Sequence, residues 1–206
     1  MPGRTGSGHR RERLERRAAI DDPQVVLAAA ARYLEVRSRS VEEMRRHLSG
    51  AGYRSELVEL AIARLTELGM LDDRAFAQTW IESRDRARPR GEQALRRELA
   101  QKGLNRELIA EVLAERAGEN EADDGGFGSP AVVEPGADVR AAEKLLVRRG
   151  AALARIADPR RRRGRAYALL ARNGFGPEIC REVSARFVAP GTADADAAEP
   201  AGNEEP

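Results

Sequence analysis

Aromatic residues make up only 4% of the 206-residue chain, cysteine occurs once and histidine twice. Each scarcity closes off a class of function. Cys180, standing alone, permits neither an intrachain disulfide nor a cysteine-built zinc site. His9 and His47 are too few for a histidine-built metal centre or triad. No apolar run reaches the roughly 18 residues of a membrane span. Residues 1–22 are polar and arginine-rich, without the apolar stretch of a secretory signal. The expectation is a cytoplasmic protein. Lysine is scarce as well: Lys102 and Lys144 are the only two among 36 cations. Arginine bias of this kind fits a GC-rich genome, so the placement of the arginines is informative and their number is not.

The net charge of +2 conceals an uneven distribution. Residues 1–22 carry six arginines and four acids and read as a disordered basic leader. Residues 117–136 carry five acids, no base, two prolines and five glycines, and read as a flexible acidic insert of charge −5. Residues 189–206 again carry five acids and no base, a disordered acidic tail. Residues 23–116 and 137–188 are left with +10.

That body has helical periodicity throughout. Leu57, Val58, Ala61, Ile62, Leu65 and Leu68 recur at the spacing that builds one helix face. Leu108, Ile109, Val112 and Leu113 form a second stripe; Ile179, Cys180, Val183 and Phe187 form a third. Asp22 before Pro23 and Asp158 before Pro159 place a capping acceptor ahead of a proline at the first helical position. Ser40 with Glu43 forms a capping box, in which Glu43 reaches back to the Ser40 amide. Asn105 and the pair Gly176, Pro177 open two more helices. The pattern predicts nine helices over about 23–37, 41–50, 55–68, 73–87, 91–102, 106–117, 138–156, 160–173 and 177–188. No period-2 segment is present, and the fold class is all-α.

Three glycine pairs, Gly52 with Tyr53, Gly103 with Leu104 and Gly174 with Phe175, sit in equivalent contexts. A leucine lies four residues before each glycine: Leu48, Leu99 and Leu170. The spacing predicts that each glycine ends the middle helix of a repeat at positive φ, with the large residue packing back on the last turn. The glycines are 51 and 71 residues apart, and removing the 20-residue acidic insert makes the second interval equal to the first. Three three-helix repeats follow, over 23–69, 70–116 and 137–188. Arrays of this kind are elongated and curved and present long binding surfaces.

Catalytic chemistry finds no support. Asp72 and Asp73 are adjacent at a helix start, where both favour the positive end of the dipole and one caps it. Glu42 and Glu43 have the same explanation. Cys180 lies on an apolar stripe and reads as core, and His47, beside Arg45 and Arg46, reads as solvated. No glycine-rich loop leads from a strand into a helix. The expectation is a non-enzyme without cofactor or metal. Phe76 and Trp80, one turn apart, read as core, and the dearth of aromatics speaks against a base-stacking platform. Arginine clusters are the stronger signal. Arg84, Arg86, Arg88 and Arg90 end the fourth helix and enter its loop. Arg160, Arg161, Arg162, Arg163 and Arg165 open the eighth, where they oppose the helix dipole. Arg45 with Arg46 and Arg96 with Arg97 repeat at seven and six residues before their glycine, slots that hold Tyr167 and Ala168 in the third repeat. Phosphate binding or docking on an acidic protein surface would each account for such clusters.

The stretch Arg37, Ser38, Arg39, Ser40, Val41, Glu42, Glu43, Met44, then Gly69 to Ala77, Trp80, Ile81 and Arg84, and then Gly91, Leu95, Glu98, Leu99, Lys102, Gly103 and Leu104, closely resembles the RecX family, bacterial regulators of the RecA recombinase. The resemblance covers about residues 25–188 and is most specific in the first two repeats. It implies three tandem three-helix repeats bent into an elongated, curved array, to which the composition adds flexible tails. It also implies binding in the groove of RecA filaments that limits their extension, so that recombinase, ATPase and co-protease activities fall; the protein is expected to be a monomer. The partners implied are the RecA filament and single- or double-stranded DNA held through phosphate contacts, with no membrane. The family offers no catalytic residues to carry over, and its pattern lacks the acidic insert and the extended tails. Alternative readings are a DNA-binding regulator of helix-turn-helix type and a scaffold for another acidic protein.

Overall fold

The computed structural model describes residues 5–118 and 136–188, and every regular element among them is a helix. The ten are α1 (Thr5–Ala18), α2 (Pro23–Leu34), α3 (Val41–Ala51), α4 (Ser55–Glu67), α5 (Asp73–Ala87), α6 (Glu92–Gln101), α7 (Arg106–Gly118), α8 (Ala137–Ala154), α9 (Pro159–Arg172) and α10 (Pro177–Val188). Residues 119–135 of the acidic insert, the whole acidic tail and residues 1–4 lie outside the described residues.

The caps form where the sequence places them. The Asp22 carboxylate accepts from the Gln24 amide at 2.8 Å, and Asp158 accepts from the Arg160 amide at 2.9 Å. Asp72 accepts from the amides of Arg74 and Ala75, and Asn105 from that of Leu108. Only half of the expected capping box is made. Ser40 Oγ accepts from the Glu43 amide at 3.1 Å, but the Glu43 carboxylate turns to Arg37 and Lys102. Two cations offer it more than one backbone amide does.

Each repeat has its own core. Val26, Ala30, Met44, Leu48, Leu57, Val58 and Leu65 fill the first, between α2, α3 and α4. Phe76, Ile81, Leu95, Leu99, Ile109 and Val112 fill the second, and Ala142, Leu146, Leu170, Phe175, Cys180 and Val183 the third. Full burial of one such leucine contributes about 2 kcal/mol. Gly52, Gly103 and Gly174 all have positive φ, at 98°, 89° and 84°. The amide after each glycine donates back to the leucine four residues before it: Tyr53 to Leu48 O, Leu104 to Leu99 O and Phe175 to Leu170 O, all at 3.3 Å. This is one and the same Schellman turn, made three times.

By their internal packing, the described residues up to Arg84 together with Leu95–Arg116 form one compact unit, and Asp85–Ala94 together with the described residues from Ala117 onward form another. In the first unit, Gly103 lies so close to α3 that a Cβ on it would come within 2.2 Å of Glu42 Cβ. Ser40 Oγ donates to the Lys102 carbonyl there at 2.6 Å. In the second unit, a Cβ on Gly174 would meet Ala94 at 2.5 Å, and the amides of Gly91 and Gln93 donate to the carbonyls of Asn173 and Gly174.

The basic leader departs from the sequence expectation. Instead of being disordered, Thr5–Ala18 forms α1, which lies against the first glycine corner, at Gly52. Leu14 stands 2.8 Å from where a Gly52 Cβ would be, Arg17 donates to the Ala51 carbonyl at 3.3 Å, and the same guanidinium lies over the Tyr53 ring. A helix this polar has almost no apolar periodicity to reveal it, which is why composition alone reads as unstructured.

The arginine clusters as a candidate functional site

The predicted arginines fall into two physical groups. Arg45, on α3, is fully engaged: its guanidinium donates to Glu59 at 2.7 and 3.0 Å and to Glu42 at 2.9 Å. Arg46 donates to Glu42 at 2.9 Å and to the Gln101 carbonyl at 3.4 Å. Arg84, on α5, donates to Glu98 at 2.6 Å and lies over the Trp80 ring at 4.3 Å, while Lys102 stands 4.7 Å from the same ring. Trp80 itself donates to Glu98 at 2.9 Å. Cations occupy that indole, so it offers no open platform for a base. Arg96 is half-buried, and Arg97 is exposed.

Six arginines of the second group are exposed and have no acidic partner among the described residues. Arg86 and Arg88 follow the end of α5, and Arg160, Arg161, Arg163 and Arg165 lie along α9. Arg162 is half-buried, with its guanidinium 3.4 Å from the Ala157 carbonyl. Arg90 donates to the Asn173 side chain at 2.6 Å. The carbonyls that end α5 are met by cations of α8: Lys144 donates to Asp85 O at 2.7 Å, and Arg148 donates to Arg86 O and Ala87 O. Such contacts complement the negative end of the helix dipole.

Two basic hollows result. One, of about 490 Å³, is lined by Arg88, Arg90, Arg148 and Arg149 together with Pro89 and Asn173. The other, of about 310 Å³, runs between α9 and α10 and is lined by Arg160, Arg163, Gly164, Tyr167, Arg181 and Ser184. Arg148, Arg149 and Arg181 were not singled out from the sequence, because the first two form only an adjacent pair, Arg181 stands alone, and they join the larger clusters only through packing. The signal for Arg181 lies in the repeat register. It falls seven residues after Gly174, where the first repeat has Glu59.

The remaining candidates have structural settings. Asp73 accepts from the Val41 amide at 2.8 Å, and burial pushes its carboxyl upward. Cys180 is fully buried, its thiol donating to the Phe175 carbonyl, and burial raises its pKa as well. His47 is exposed but not merely solvated: it stacks on Tyr33 at 3.6 Å, with Arg39 over the other ring. Partial burial, followed by Arg39 and Arg17, lowers its pKa. No group of three or more metal-ligating side chains occurs among the described residues, and no described helix is long and apolar enough to cross a membrane.

The described residues form three-helix repeats that carry clustered arginines, and comparison with known proteins places this architecture in a class. Residues 27–65 match the model of the first RecX three-helix domain, and residues 72–113 match that of the second. Over 159 residues the chain is 31% identical to the regulatory protein RecX of Mycobacterium tuberculosis, covering 76% of this chain and 82% of that one. It is 39% identical over 94 residues to the regulatory protein RecX of Prosthecochloris aestuarii, a match covering 46% of this chain and 62% of that relative, less than two thirds of its length. The crystal structure of RecX from Lactobacillus salivarius superposes with a TM-score of 0.65 at 16% identity, over 81% of this chain and 97% of that one, a likeness of fold. The chain belongs to the RecX family of regulatory proteins.

Proposed function

We propose that this protein is a non-enzymatic regulator of recombination and DNA repair. It binds RecA nucleoprotein filaments and limits their extension, which lowers recombinase, ATPase and co-protease activity. It acts as a cytoplasmic monomer whose partners are the RecA filament and DNA phosphates. Family membership supports the regulatory role, and the observation that carries the contact surface is the set of exposed arginines without acidic partners among the described residues, Arg86, Arg88, Arg160, Arg161, Arg163 and Arg165. An unneutralised cation cluster favours a polyanion and releases its counterions on binding. A DNA-stimulated RecA ATPase assay with substoichiometric protein tests the reading. Inhibition is expected, and reversing the charges at Arg160, Arg161 and Arg163 should weaken it at least about tenfold with helicity unchanged. Unaltered ATPase at every ratio would sink it. Duplex binding with a base preference that survives moderate salt would favour the helix-turn-helix regulator instead.

A further inference from the structure

The repeat register supplies an inference that rests on the filament reading and assigns its DNA contact to one place. In the first repeat, the helix face seven residues before the glycine holds Arg45, gripped by Glu42 (ten before) and Glu59 (seven after). In the third repeat those three positions hold Tyr167, Gly164 and Arg181. Both neutralising acids are gone: one is replaced by a glycine and the other by a cation. What is an ion-paired triad of one arginine and two glutamates in repeat one becomes, in repeat three, the groove of about 310 Å³ whose charged lining is Arg160, Arg163 and Arg181. All three are exposed, and none has an acidic partner among the described residues. Gly164 lies in the floor with open space above it, so a ligand can approach the α9 backbone closely.

We propose that this α9–α10 groove is a phosphate-binding site that takes the phosphodiester backbone of single-stranded nucleic acid. The chemistry follows from the lining. Three guanidiniums present planar forks of donors matched to phosphate oxygens, and no acidic side chain among the described residues lines the groove. The Tyr167 hydroxyl and ring add a hydrogen-bonding edge and an apolar face beside a sugar or base. By the same comparison, repeat one is not the DNA contact, because its guanidiniums at the corresponding place already have carboxylate partners.

The test is binding of a fluorescent oligothymidylate to the full chain without RecA, followed by anisotropy over a range of salt. Two variants probe the groove: Gly164→Glu, which restores the acid of repeat one in open space, and the double substitution Arg163→Ala with Arg181→Ala. Each is expected to keep its circular dichroism spectrum, to lose at least about tenfold in affinity, and to flatten the dependence of log K on log salt by about 1. Arg64→Ala, which removes an exposed cation paired with Glu67 far along the sequence, is expected to bind as the parent does. Wild-type affinity in the folded groove variants overturns the assignment, as does a parent protein that fails to bind the oligonucleotide. Displacement of the oligonucleotide by a few millimolar inorganic phosphate at constant ionic strength overturns it in favour of a free-phosphate site. Because RecA is absent from this assay, a protein that binds through the groove yet leaves RecA ATPase untouched refutes the filament reading alone.

Discussion

Glu43 sits where three demands meet. Its amide is held by Ser40 Oγ, and its carboxylate accepts from Arg37 at 3.1 and 3.0 Å and from Lys102 at 2.7 Å. Burial alone would raise its pKa, but the two cations outweigh burial and hold the carboxyl at about 2, against an ordinary 4.5. A folded-state pKa below the unfolded one gives stabilisation that is complete above the unfolded value and vanishes as pH falls through the folded one. Urea denaturation should therefore show stability declining between about pH 5 and pH 2, and Glu43→Gln should lower stability by about 1–2 kcal/mol near neutrality. Parent and variant curves should converge toward pH 2; parallel curves would rule this contribution out. The sequence marked Glu43 as a capping residue, yet its partners were out of reach, since Lys102 lies 59 positions away and arrives only through packing of the second repeat.

At the scale of the element, what recurs is the glycine corner. Helix boundaries were legible because caps and glycines are local signals: Asp22, Ser40, Asp72, Asn105 and Asp158 each bond an amide two or three residues on. The fate of the corner was only half legible. Sequence showed the positive-φ position, but not that a neighbouring helix presses against it. Gly69 and Gly103 separate the two effects. Both have positive φ, at 66° and 89°, but a Cβ on Gly69 would meet open space, whereas one on Gly103 would collide with Glu42. Gly69→Ala should cost about 1 kcal/mol for the left-handed backbone, and Gly103→Ala about 3 kcal/mol or more, because α3 must also shift. Equal losses in chemical denaturation would show that contact with α3 contributes nothing. Helix α1 escaped the sequence for a related reason. Its attachment uses one leucine, one guanidinium and the missing Cβ of Gly52, and none of these produces periodicity.

Across the whole molecule, charge is sorted by segment. The helical body carries +10, and the acidic insert and tail carry −5 each. Acids lying in the same chain as unpaired arginines compete with any polyanion for them, at a strength that falls with salt. Deleting residues 189–206 should therefore strengthen oligonucleotide binding several-fold at about 50 mM salt and have little effect at about 300 mM. An unchanged affinity at low salt would remove the tail from the account. The arginine clusters themselves were visible in the sequence. Their neutralisation was not, because Arg45 and Glu59 are 14 residues apart on different helices, and the side chain of neither residue announces the other.

The glycine corner also bears on how such a chain grows. In each repeat the carbonyl just before the glycine receives a donor from outside the turn: an arginine side chain at Ala51, a serine hydroxyl at Lys102 and a backbone amide at Asn173. Three different chemical groups satisfy one acceptor, so the corner demands a shape and a donor but no particular partner sequence. Duplicated repeats can then diverge at their seams without losing the ability to stack. Helix α1 fills the first seam with a single turn's worth of contact, so a further repeat added ahead of α2 would need no new joint, only a helix that takes the place of α1.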